Sequence, residues 1–134
     1  MPIKHQKWIT RKNLQDNPKT IYVFGDNMQR RGLGGQAKEM RGEPNAIGIP
    51  TKWKPERTVE SFFMDSQIDK FWDQIIFPIK QIELHLKLGQ TVIIPTDGVG
   101  TGLSKMDLTA PKAYAKLQDS LERLEREYGT LDGE

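Results

Sequence analysis

The sequence predicts an α/β fold of three layers, with helices on both faces of a mixed, mostly parallel sheet. Three observations carry this expectation. Thr20–Phe24 (TIYVF) and Thr91–Pro95 (TVIIP) are short, continuous runs rich in β-branched and aromatic residues, the pattern of strands buried on both faces. From Ile68 to Leu86, apolar residues recur every three or four positions, as on one face of a helix. Strand-like and helix-like segments alternate, which favours crossover connections and parallel pairing. A length of 134 residues suits one domain, 1–134, around one core.

In chain order, His5–Thr10 reads as a short first strand and Asn13–Lys19, with Asn17-Pro18, as a turn. Thr20–Phe24 stops at Gly25-Asp26-Asn27, residue types suited to turns. A glycine-rich loop then leads to a short helix over Gln36–Arg41, ended by Gly42-Glu43-Pro44. Asn45–Ile49 is the next strand, closed by Pro50. Thr51–Arg57 reads as an exposed loop and Thr58–Phe63 as a short strand. Asp65 or Ser66 is placed to cap the long helix. Pro78 falls inside its apolar stripe (Ile68, Phe71, Trp72, Ile75, Ile76, Ile79, Ile82, Leu86) and predicts a kink or two consecutive helices. Gly89 ends that segment before Thr91–Pro95. A last helix spans Thr109–Tyr128, with Pro111 in its first turn and Gly129 just past its end. The acidic stretch 119–134 reads as an exposed helix and a frayed tail.

Composition removes several function classes. Without cysteine there is no disulfide, thiol nucleophile or thiolate zinc site. His5 and His85 lack ligand spacing, so neither a metal nor a cofactor is expected. No apolar run approaches bilayer length and the first residues carry no apolar leader, which predicts a cytoplasmic protein without a membrane partner. The net charge of +2 does not demand a polyanion. Its distribution is more informative: between Met28 and Arg57 lie Arg30, Arg31, Lys38, Arg41, Lys52, Lys54 and Arg57 against Glu39, Glu43 and Glu56. That excess suits a phosphate-bearing ligand or a solvated basic face.

The chemistry concentrates in two loops that follow the strongest strands. In the first, 25–36, Gly32, Gly34 and Gly35 let the backbone approach a ligand, with free N–H groups where a helix begins. In the second, Thr96, Asp97, Gly98, Val99, Gly100, Thr101, Gly102 and Leu103 alternate glycine with other residues, a pattern able to form a nest of amides for a diphosphate. Thr96, Thr101 and Ser104 are candidate hydroxyl donors. A Cβ at Gly100 is expected to fill that nest. The loop is neither a Walker loop nor GxGxxG. Ligands of parallel sheets sit beyond the strand carboxyl ends, where both loops lie.

YVFGDN, GLGGQAKEM and IIPTDGVGTGLS together resemble the macro-domain superfamily, whose members bind ADP-ribose and in some branches hydrolyse its conjugates. The last segment is similar to the branch reading G-x-G-x-G-Leu, although Ser104 stands where that branch can carry an aspartate. No counterpart of the family's adenine-binding aspartate precedes Thr20. The resemblance implies an ADP-ribose-like nucleotide ligand, phosphates held by both loops including Gln36, and a distal ribose at Asn27. Asp26 and Asn27 are the candidate catalytic pair, positioning and activating water at C1″, with Asp97 a lesser carboxylate. Trp53 or Phe62 is the candidate to stack on adenine. The block from Gly25 to Trp53 also resembles a small family of bacterial and phage proteins without an assigned function. Two other readings stay open: a non-catalytic sensor or sponge for a nucleotide signal, and nucleic-acid binding through the basic stretch. The latter is disfavoured because no nucleic-acid motif is present and glutamates interrupt the patch.

Overall fold

A computed structural model describes residues 3–129. The part of the expected tail at 130–134 lies outside the described residues. Four strands, β1 (Ile3–Gln6), β2 (Ile21–Asp26), β3 (Ala46–Pro50) and β4 (Val92–Pro95), form one sheet in the order β1-β4-β2-β3. Every pair is parallel, so the sheet has no antiparallel member. The helices are α1 (Arg11–Asp16), α2 (Ala37–Met40), α3 (Ile68–Lys87), α4 (Met106–Thr109) and α5 (Pro111–Tyr128).

The fold class is as the sequence predicts, and the two-residue strand period explains the layers. Ile21 and Val23 of β2, with Val92 and Ile94 of β4, face one core closed by α3, α4 and α5. Tyr22, Phe24 and Ile93 face the other, closed by Leu14 of α1 and by Ala37 and Met40 of α2. Phe63 stacks on Phe71 at 3.9 Å, and Trp53 meets both rings edge-on. Glu83 of α3 accepts from Arg123 and Tyr128 of α5, bonds that hold its carboxyl below the usual glutamate range. Among the described residues no helix is long and apolar enough to cross a membrane.

Local signals mislead in six places, each for a physical reason. The first strand is Ile3–Gln6 rather than His5–Thr10, because pairing with Val92–Pro95 sets its register. The turn expected at Asn13–Lys19 is confined to its end at Pro18-Lys19, and residues up to Asp16 belong to α1, a helix too short to show periodicity. Thr10 and Asn13 close a capping box at its start, an asparagine version of the usual motif. Thr58–Phe63 is no strand: Val59–Ser61 forms a 3-10 turn, and Lys52↔Phe62 is an isolated bridge. The Thr51–Arg57 loop is anchored, with Thr51 and Lys52 buried. Pro78 does not split α3, because Phe71 and Ile75 before it and Ile79, Ile82 and Leu86 after it bury together. At about 1.5–3 kcal/mol per buried side chain, they outweigh the roughly 3 kcal/mol cost of an internal proline.

Asp65 does not cap α3, whose N-cap is Gln67. Its carboxylate instead accepts from the amides of Lys112 (3.1 Å) and Ala113 (2.9 Å), capping α5 from 47 and 48 residues away. Asp65→Ala is therefore expected to destabilise the protein by about 1–2 kcal/mol in urea unfolding. An unchanged midpoint would refute this long-range cap.

Candidate functional site

The sheet order creates the site. β2 and β4 are neighbours, yet the chain after β2 turns to α2 on one face and the chain after β4 turns to α4 and α5 on the other. Connections that part in this way leave a crevice at the strand carboxyl ends. A cavity of about 650 Å³ lies there. All four strands contribute to it: Lys7 and Trp8 follow β1, the first glycine loop ends β2, Thr51 and Lys52 follow β3, and the second loop follows β4.

The structure brings the two loops together. Asp26, Asn27, Gly32, Gly34, Gly35 and Gln36 line the cavity, as do residues 97–103. Leu103 reaches across the mouth: a Cβ on Gly34 would stand 2.9 Å from its Cδ1. Among the described residues, the amides of Arg31, Gly32, Leu33, Gly34 and Gly35 in the first loop, and of Val99, Gly100 and Thr101 in the second, donate to no protein acceptor. Val99 and Gly100 are buried residues on the cavity wall. Thr96 is not part of the cavity. It lines a separate recess of about 200 Å³ with His5 and Gln118, and its amide donates to Gln6.

The candidate catalytic pair is built into a hydrogen-bonded cluster. Asp26 is buried, and donors meet all four of its lone-pair positions. Oδ1 accepts from Arg41 Nη2 (2.5 Å) and from the Asn27 amide (2.8 Å), and Oδ2 from Arg41 Nη1 and Arg30 Nη1, both at 3.3 Å. Arg41 also donates to Gly32 O and Arg31 O. Asn27 accepts from the Gln29 amide through Oδ1 and donates to Arg31 O through Nδ2. Arg30 is held in a left-handed conformation (φ 56°), bonded to Asp26 and to Gly48 O. The cluster shapes the first loop.

Other candidates divide in the same way. The Gln36 amide pairs with both backbone groups of Ile9, pinning the segment after β1. Thr101 and Ser104 donate their hydroxyls within their own loop, to Asp97 O and Thr101 O. Gly100 (φ 102°) turns its missing Cβ towards Tyr114, 3.0 Å away, and Met106, rather than into the nest. Trp53 belongs to the aromatic core, with Nε1 bonded to Gln67, and Phe62 lies under Lys52. Neither lines the cavity. Trp8, 52% exposed, does so instead, and the overlong first strand had hidden it. Asp97 is the carboxylate left open: among the described residues it has no side-chain bond or ion pair, and it lies on the wall.

Lys52 is the buried cation of the site. It is 6% exposed and lines the cavity. Its ammonium donates to Glu56 O at 2.8 Å and lies 4.6 Å from the centre of the Phe62 ring. Burial pushes it below the usual lysine range; the Glu56 carboxylate opposes this, while Arg57 and Lys105 add to it.

A model for a family of unknown function, DUF7831, matches residues 4–120. The chain belongs to that family. No curated protein and no solved structure matches it. The matched span holds the whole DUF7831 cavity wall, from Lys7 to Ser104. Among the described residues, no group of three or more histidine, aspartate or glutamate side chains is placed to hold a metal ion.

Proposed function

We propose that this domain binds ADP-ribose or a related nucleotide diphosphate in the cavity and holds it without hydrolysis. The observation that carries this reading is the convergence of unpartnered amides from two glycine loops on one cavity beside a buried lysine. Free amides and a cation in a partly desolvated space suit a diphosphate. The volume of about 650 Å³ lies in the range of small-molecule pockets, roughly 300–1,000 Å³. Trp8 offers an aromatic face for the base. Asp97 supplies an open acceptor for a ribose hydroxyl. The likeness of the loops to the macro-domain superfamily supports the same ligand class.

Retention rather than turnover is favoured by the Asp26 cluster, since the carboxylate best placed to activate water already accepts four hydrogen bonds from the protein. The basic stretch does not form a continuous track for a polyanion. Arg30 and Arg41 face Asp26, Arg31 pairs with Glu56 at 2.7 Å, and Lys52 points to a carbonyl.

Calorimetry with ADP-ribose, followed by chromatography of the recovered ligand, tests the proposal. Saturable heat with intact ligand is expected, together with about 2.7 kcal/mol of added stability at a hundredfold excess over Kd. No heat and no thermal shift at millimolar ligand would remove this function. Recovery of cleaved ligand would overturn retention.

A further inference from the structure

The Lys52 ammonium is a buried charge whose counter-ion the protein does not supply. Among the described residues it forms no ion pair. The acid close by, Glu56, gives its carboxylate to Arg31 at 2.7 Å and offers Lys52 a backbone carbonyl instead. Arg57 and Lys105, the other charged groups acting on it, have the same sign. Its place is well fixed. The Met28 amide donates to Lys52 O at 2.9 Å, and the bridge to Phe62 holds the chain on the other side. A desolvated cation with a carbonyl and a phenyl ring for company is costly. A structure that keeps one on a cavity wall leaves room for an anion to arrive with the ligand.

We propose that Lys52 is a proton-linked anion receptor: a phosphate group of the ligand pairs with it on the β3 side of the cavity, and that pairing draws a proton onto the amine. This deepens the nucleotide reading and, for the identity of the ligand, rests on it. The proton balance is simple. Above the lysine's depressed titration midpoint the free protein holds a neutral amine, the bound phosphate favours ammonium, and one proton is taken from solvent on binding. Affinity therefore falls as pH rises through that midpoint, and below it binding is indifferent to this group.

The test is lysine-selective NMR of the whole chain with and without inorganic pyrophosphate, beside calorimetry with ADP-ribose in buffers of different ionisation enthalpy. Pyrophosphate is expected to move the Lys52 midpoint to higher pH by at least about one unit, a tenfold preference for the charged form. ADP-ribose binding at alkaline pH should take up protons. Lys52→Met should lose at least about tenfold in affinity at neutral pH, together with the uptake. Lys52→Arg, which stays charged, should keep most of the affinity and lose only the pH dependence. Thermal melts verify that both variants fold. A Lys52 midpoint indifferent to pyrophosphate overturns the receptor, even if ADP-ribose binds and the nucleotide reading stands. A midpoint that responds to pyrophosphate in a protein that ignores ADP-ribose supports the receptor and removes the nucleotide.

Discussion

Gly25→Leu is expected to abolish ligand binding while leaving thermal stability nearly unchanged. Gly25 sits near the end of β2 in extended backbone, on the exposed side facing the cavity. A Cβ there would meet Val99 Cγ1 at 3.6 Å, Thr51 Oγ1 at 3.7 Å and the Gly100 amide nitrogen at 4.0 Å, all ordinary contacts. The backbone takes the substitution without strain, and the longer side chain enters the space in front of the Gly100 amide. A loss of at least about 100-fold in affinity, about 3 kcal/mol, is expected by calorimetry. Gly100→Val is the contrast. At φ 102° with Tyr114 at 3.0 Å, its side chain strains the backbone and presses on the core, so it lowers the melting temperature. Full affinity in Gly25→Leu would mean that the ligand lies elsewhere.

Asp26→Asn is expected to cost about 2–3 kcal/mol in chemical unfolding, below the roughly 3–5 kcal/mol of a fully buried pair because Arg30 and Arg41 keep contact with solvent. The amide turns one acceptor into a donor facing a guanidinium, and Arg41 loses the charge that orients it towards Gly32 O and Arg31 O. Affinity should fall as well, because the first glycine loop loses its brace. A residue serving as a general base would behave differently, losing turnover while stability stayed level. Unchanged stability in Asp26→Asn would therefore restore Asp26 as a candidate for the chemistry.

Much of the architecture is legible in the chain because it is local. TIYVF and TVIIP can satisfy their residues only as buried strands, and the Ala113-Leu117-Leu121-Leu124 stripe is a helix face wherever it packs. The two loops are legible too, since glycine clusters after strands mark carboxyl ends. What misled was context. Trp8 falls inside the expected first strand until β1 pairs with β4 and ends at Gln6. Asp65 reads as the cap of the next helix, yet bonds to one 47 residues away. Lys52, after a strand end, reads as a candidate to face the site, but its burial appears only when Phe62 and Glu56 pack against it.

The sequence by itself determined the layers, the strands β2, β3 and β4 and the fact that two glycine-rich loops follow two buried strands, because hydrophobic period and glycine placement act over a few residues. Only the tertiary structure decided which donors meet Asp26, which way Gly25 and Gly100 turn, and that Lys52 is buried without a counter-ion. Those outcomes depend on strand order and on charges that meet from distant segments. Partner identity is a property of the folded surface, and no local pattern encodes it.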